Sequence, residues 1–116
     1  MNLGEQQRKF PPLVAALIQW IYTNPGYAVT FGETYRTPEQ AALNAKNGSG
    51  ISKSLHTQRL AIDLNLFING AYIMNSESYA PLGAYWKSLD PDCCWGGDFT
   101  SHPDGNHFSL TFGGIK

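Results

Sequence analysis

Apolar positions first recur with a helical period. Leu13, Leu17, Trp20 and Ile21 share one face of a helix over residues 11–23. Pro11-Pro12 open it, where a missing N–H is tolerated, and Asn24-Pro25-Gly26 stop it. The run Tyr27–Phe31 predicts a short strand. A second helix starts at Thr37 as N-cap, with Pro38 at its first position and Gln40 at its third, and ends near Asn47-Gly48. Gly48 to Lys53 reads as a loop of small polar residues.

The period then changes to two. Leu60, Ile62, Leu64, Leu66 and Ile68 point one way, and Ala61, Asp63, Asn65 and Phe67 the other. Asn69-Gly70 predicts a hairpin turn, with Ala71 to Met74 as the return strand. Residues 77–90 return to helical spacing, with Tyr79, Leu82, Tyr85, Trp86 and Leu89 as the stripe and Pro81 early enough to be tolerated. Pro91 to Asn106, rich in Gly, Asp and Pro, reads as a long loop. His107 to Phe112 alternates again, Phe108, Leu110 and Phe112 against His107, Ser109 and Thr111. This succession predicts an α+β fold with a small antiparallel sheet and helices packed on one face.

Composition narrows the class. The 116 residues suffice for one domain with its own core, so residues 1–116 are expected to form a single domain. With 42% hydrophobic and 15% charged residues the composition is that of a globular protein. A net charge of −1 gives no basic footprint for nucleic acid and no polybasic membrane patch. No apolar run approaches the ~20 residues of a membrane span. The start MNLGEQQRKF lacks the pattern of a secretory signal, and a monomer made in the cytosol is expected. Cys93 and Cys94 are adjacent, which disfavours a disulfide between them, and read as reduced thiols packed near Trp95.

The polar strand positions raise the question of chemistry. Asp63 interrupts the best core-strand candidate, and strands are poor in Asp. If its strand neighbours the last one, Asp63 and His107 converge, and His56 can join them from the preceding loop. Two imidazoles and a carboxylate form a set that catalytic zinc uses and that non-haem iron can also use. A polar strand face turned to water accounts for the same spacing. Asp104, three residues before His107, is placed to take a proton from water, or is simply the acid of a Pro-Asp-Gly turn. Asp98 could support a ligand histidine or be a turn acid. Lys53 and Glu33 could touch substrate or face solvent, and Trp95, Tyr35 and Phe99 could wall a cleft or pack in the core.

The pattern S-x-H-x-x-x-x-A-x-D, spelled by Ser54, His56, Ala61 and Asp63, resembles the zinc signature of the D-Ala-D-Ala carboxypeptidase superfamily. That group includes the phage L-alanyl-D-glutamate endopeptidases. GETYRTPEQ (32–40) resembles its upstream segment, and WGGDF (95–99) followed by DGNHFSL (104–110) resembles its closing one. The resemblance implies that His56, Asp63 and His107 bind Zn2+, with Asp104 as general base. It implies that Arg36 holds a substrate carboxylate or the oxyanion and that Ser54 lines the site; His102 is a second cleft histidine or an exposed loop residue. The substrate would be the stem peptide of peptidoglycan.

Two positions depart from the family pattern. Arg59 stands where a glycine is usual, and Asp104 where the carboxypeptidases carry Glu. The second departure is more like the phage branch. The expected protein is therefore a phage or prophage endolysin, held in the host cytoplasm until a separate pore releases it to the wall. A D-Ala-D-Ala carboxypeptidase and a non-catalytic wall-binding module remain the alternatives. An iron-dependent oxygenase would need more strands than this length supplies.

Overall fold

The computed structural model describes residues 1–47 and 54–116, so the loop expected at 48–53, with Lys53, lies outside the described residues. Helix α1 spans Leu3–Ile21 and starts well before the prolines expected to open it. Its true start is a capping box: Asn2 Oδ1 accepts from the Glu5 N–H at 2.8 Å, and Glu5 Oε1 accepts from the Asn2 N–H at 3.0 Å. Pro11 and Pro12 sit inside the helix. Both are exposed, so water can satisfy the carbonyls they leave without a helical donor. Tertiary bonds hold the first turns as well. Buried Gln6 donates to Asp92 and to the Thr111 carbonyl, and Lys9 pairs with Asp90 and Asp92.

Strand β1 (Tyr27–Phe31) and helix α2 (Pro38–Lys46) form where the pattern places them, and Thr37 Oγ1 caps α2 through the Gln40 N–H. A 3-10 turn, Leu55–Gln58, leads into β2 (Ala61–Ile68). The return strand β3 is shorter than expected, Ala71–Tyr72. A 3-10 turn at Ser76–Tyr79 precedes α3 (Ala80–Leu89), with Pro81 in its first turn. The segment read as one loop contains a strand, β4 (Cys93–Trp95), followed by a 3-10 turn at Gly96–Asp98. The last strand, β5, is His107–Leu110 and stops before Phe112.

All pairings are antiparallel, in the order β1-β2-β5-β4, with β3 beside the far end of β2. Leu60, Leu64, Leu66, Phe108 and Leu110 are fully buried on the core face. Phe10, Leu17 and Ile21 from α1 and Leu82 and Trp86 from α3 meet them there. Trp86 bridges the layers edge-on, 5.8 Å from the Phe10 ring and 6.2 Å from that of Phe108. Helix α1 packs on both α3 and the sheet, giving the expected α+β arrangement. Both cysteines are free, and burial, then the charge of Asp90, pushes the Cys93 thiol up to about 12, so it packs as an apolar group. No helix among the described residues is long and apolar enough to cross a membrane.

Candidate metal and peptidase site

The sheet register brings the ligand candidates together. Asp63 of β2 lies directly opposite His107 of β5. Paired positions share a face, so both side chains emerge on the side away from the core. His56 joins them from the 3-10 turn before β2, where the Ser54 hydroxyl accepts from the His56 N–H at 3.2 Å. Ser54 is buried, and its hydroxyl is occupied in shaping that turn.

The turn ends on Arg59 with φ of 57°, the left-handed region. This explains why glycine suits the position. Arginine adopts the conformation here and lays its guanidinium 4.1 Å over the Tyr35 ring. Neither side chain belongs to the ligand cluster; both line a groove of about 680 Å³ bounded by Phe10, Val14 and Ile18 of α1.

His56 Nδ1 lies 2.9 Å from the Thr34 carbonyl, which can only accept, so Nδ1 carries the proton. In the neutral ring Nε2 is then a bare lone pair. It faces Asp63 Oδ1 at 3.3 Å, and His107 Nδ1 faces the same oxygen at 3.4 Å. His56 Nε2 and Asp63 Oδ1, two acceptors facing each other, call for a cation or an added proton between them. Tetrahedral zinc with bonds of about 2.0–2.1 Å spaces its ligand atoms about 3.3–3.4 Å apart. One donor atom from each of His56, Asp63 and His107 lies within 4.8 Å of the others, and no further group joins them among the described residues. The donor set and its spacing thus fit a divalent metal.

The protons of the site follow the same geometry. Burial pushes the Asp63 carboxyl up, but bonds and charge from His107 and His56 outweigh it and hold it down at about 2. Burial likewise pushes His56 down, but the Asp63 carboxylate, which accepts from Nε2 once that nitrogen is protonated, outweighs this and raises it. His107 Nε2 is buried without a hydrogen-bond partner among the described residues, and its ring lies 5.6 Å from that of Phe99.

Asp104 stands beside this cluster on an exposed loop. Its N–H donates to the Gly96 carbonyl at 2.9 Å, and its carbonyl accepts from the His107 N–H at 3.1 Å. A Cβ at Gly96 would come within 2.2 Å of that carbonyl, so the loop closes over glycine. Desolvation, then the charge of Asp63, raises the Asp104 carboxyl. The group is exposed, so the desolvation is partial, but the shift is in the direction a general base needs.

Arg36 is half-buried, paired through Nη2 with Glu33, and keeps a buried Nε without a partner among the described residues. His102 is exposed on the loop before Asp104, outside the ligand cluster. Asp98 pairs with Lys87 at 2.6 Å. Trp95 belongs to the core, and its Nε1 donates to the Gly105 carbonyl at 2.8 Å. Thr34 had no signal in the sequence, since it acts through a backbone carbonyl that any residue carries.

Comparison with known proteins gives the class, a peptidase. A family profile described as D-alanyl-D-alanine carboxypeptidase matches residues 47–110, more than half of the chain and all three ligand candidates, and the chain belongs to that family. The crystal structure of the Serratia marcescens L-Ala D-Glu endopeptidase ChiX superposes with a TM-score of 0.70 at 22% identity, over 94% of this chain and 86% of that one. No curated protein matches the chain in sequence.

Proposed function

We propose that the protein is a zinc-dependent peptidase that cleaves the stem peptide of peptidoglycan at the L-alanyl-D-glutamate bond, in the setting of a phage or prophage endolysin. The observation that carries this reading is the pair of imidazole nitrogens converging on Asp63 Oδ1, with Asp104 beside them. Membership of a peptidase family supports the reaction, and a fold shared with an L-Ala D-Glu endopeptidase is in keeping with the bond.

His56, Asp63 and His107 would hold the metal. Bound Zn2+ supplies Lewis-acid polarisation of a peptide carbonyl and a water with a pKa lowered toward ~7. Asp104 takes the proton of the attacking water and hands it to the leaving amine. The Arg36 guanidinium, fixed by Glu33, donates to a substrate carboxylate or to the carbonyl oxygen as it gains charge. Ser54 keeps the His56 turn in place at the edge of the site. His102, exposed on the loop that carries Asp104, is the further group assigned to substrate contact.

The test is digestion of purified peptidoglycan by the zinc-loaded protein, with mass spectrometry of the products. New D-Glu amino termini are expected. Free D-Ala instead would make it a D-Ala-D-Ala carboxypeptidase, and wall binding without new termini a binding module. Asp104→Ala should retain Zn2+ and lose about 100-fold or more in turnover; undiminished digestion by that variant would remove Asp104 from the mechanism. The endolysin setting predicts host lysis when the protein is co-expressed with a membrane pore-former, and none without it.

A further inference from the structure

One segment outside the ligand set touches two of the ligand residues at several points. Gly32 donates its N–H to the Asp63 carbonyl at 2.7 Å, and the Asp63 N–H donates to the Glu33 carbonyl at 2.8 Å. The Thr34 carbonyl takes the His56 Nδ1 proton, and the Arg36 N–H donates to the His56 carbonyl at 3.1 Å. The Glu33 carboxylate lies 3.8 Å from His56 Nδ1 while bound to Arg36. Gly32 also makes the close approach possible. A Cβ there would sit 3.0 Å from Asp63 Cβ and 3.2 Å from the Asp63 carbonyl oxygen, so something would have to give. The obstruction is backbone and Cβ of a core strand, which cannot swing aside as a flexible side-chain end can.

We propose that Gly32–Arg36 is a positioning strap for the metal site, in which Gly32 sets the place of the Asp63 carboxylate and the Thr34 carbonyl, with the Glu33 charge beside it, the orientation of the His56 ring. The inference rests on the zinc reading above and adds to it where the ligand geometry comes from. The first two ligands lie at separate points along the chain. Hydrogen bonds join each of them to the same short segment, Asp63 through Gly32 and Glu33 and His56 through Thr34 and Arg36, and those bonds fix their separation without using the metal. Glu33 acts at both ends of the strap: it anchors Arg36, and its charge stands beside the proton that keeps His56 Nε2 free to bind. Residues that orient metal ligands in this way typically alter metal affinity by about 10–100-fold when replaced.

The experiment measures Zn2+ affinity of the full chain, stripped of metal, by competition with a chromophoric chelator. The visible spectrum with Co2+ and the melting temperature without metal are recorded in parallel. Gly32→Ala is expected to bind Zn2+ at least ten-fold more weakly and to change the Co2+ spectrum. Phe31→Ala, one residue before the strap and with its side chain in solvent, is expected to match the wild type in both. Equal affinity and an unchanged spectrum for Gly32→Ala would overturn the strap, as would an equal loss in Phe31→Ala. If Gly32→Ala does not fold, Glu33→Gln decides: it keeps the backbone bonds, removes the charge, and should weaken Zn2+ several-fold at an unchanged melting temperature. Unaltered affinity in that variant overturns the proposal. A wild type that binds no stoichiometric Zn2+ would instead sink the zinc reading itself.

Discussion

At position 59 two residue-level effects of opposite sign meet. A left-handed backbone disfavours a side chain by about 1–2 kcal/mol, and Arg59 adopts it at φ 57°. Stacking of an exposed guanidinium on a ring returns about 0.5–1 kcal/mol, and Arg59 stacks on Tyr35. Glycine would relieve the backbone but lose the stack and gain disorder in the unfolded chain. Arg59→Gly is therefore expected to change stability by less than about 1 kcal/mol in urea denaturation. A loss of several kcal/mol would show that the side chain, not the turn, holds the His56 loop.

At the scale of elements, the site depends on how α3 grips β4. Gly83 of α3 lies against Trp95, and a Cβ there would come within 2.2 Å of the indole. Trp95 in turn holds the Gly105 carbonyl, next to Asp104. Alanine is the better helix former by about 1 kcal/mol, yet overpacking typically costs about 1–3 kcal/mol. Gly83→Ala is expected to lower the melting temperature despite its helix propensity, and a rise would contradict this packing. Strand β4 was hidden in the sequence for a related reason. Cys93–Trp95 is too short to show a period of two, and it becomes a strand because β5 supplies its partners.

The whole molecule should carry the site's electrostatics in its pH dependence. The Asp63 carboxyl, at about 2 in the folded chain, lies below the unfolded value of about 3.9. Its stabilisation is present above the unfolded value and is lost as pH falls through about 2. His56 is raised by its bond to Asp63 in spite of burial. Its stabilisation is complete below the unfolded value of about 6.5 and is lost as pH rises through the higher folded value. Chelator-treated protein should therefore melt highest between about pH 4 and 6.5, measured by calorimetry from pH 2 to 9. Zn2+ takes neutral imidazole, so excess Zn2+ should flatten the alkaline arm. A melting temperature that climbs steadily to pH 9 without metal would contradict this arrangement.

The sequence by itself determined the elements whose periods are long or whose caps are local. Strand β1, the Thr37 cap of α2 and the alternation of β2 belong here, and that alternation already put Asp63 on the face away from the core. Local chemistry also fixed the start of α1 through Asn2 and Glu5, although Pro11-Pro12 drew the expected boundary eight residues too late. Tertiary structure decided what no neighbouring residue could. It set the register that places Asp63 opposite His107, because strand pairing joins residues far apart in the chain. It made the Thr34 carbonyl the partner that leaves His56 Nε2 a lone pair, because a backbone group bears no mark of its role in the sequence. It also gave Gly32 its place against Asp63, because a close approach exists only between segments already packed together.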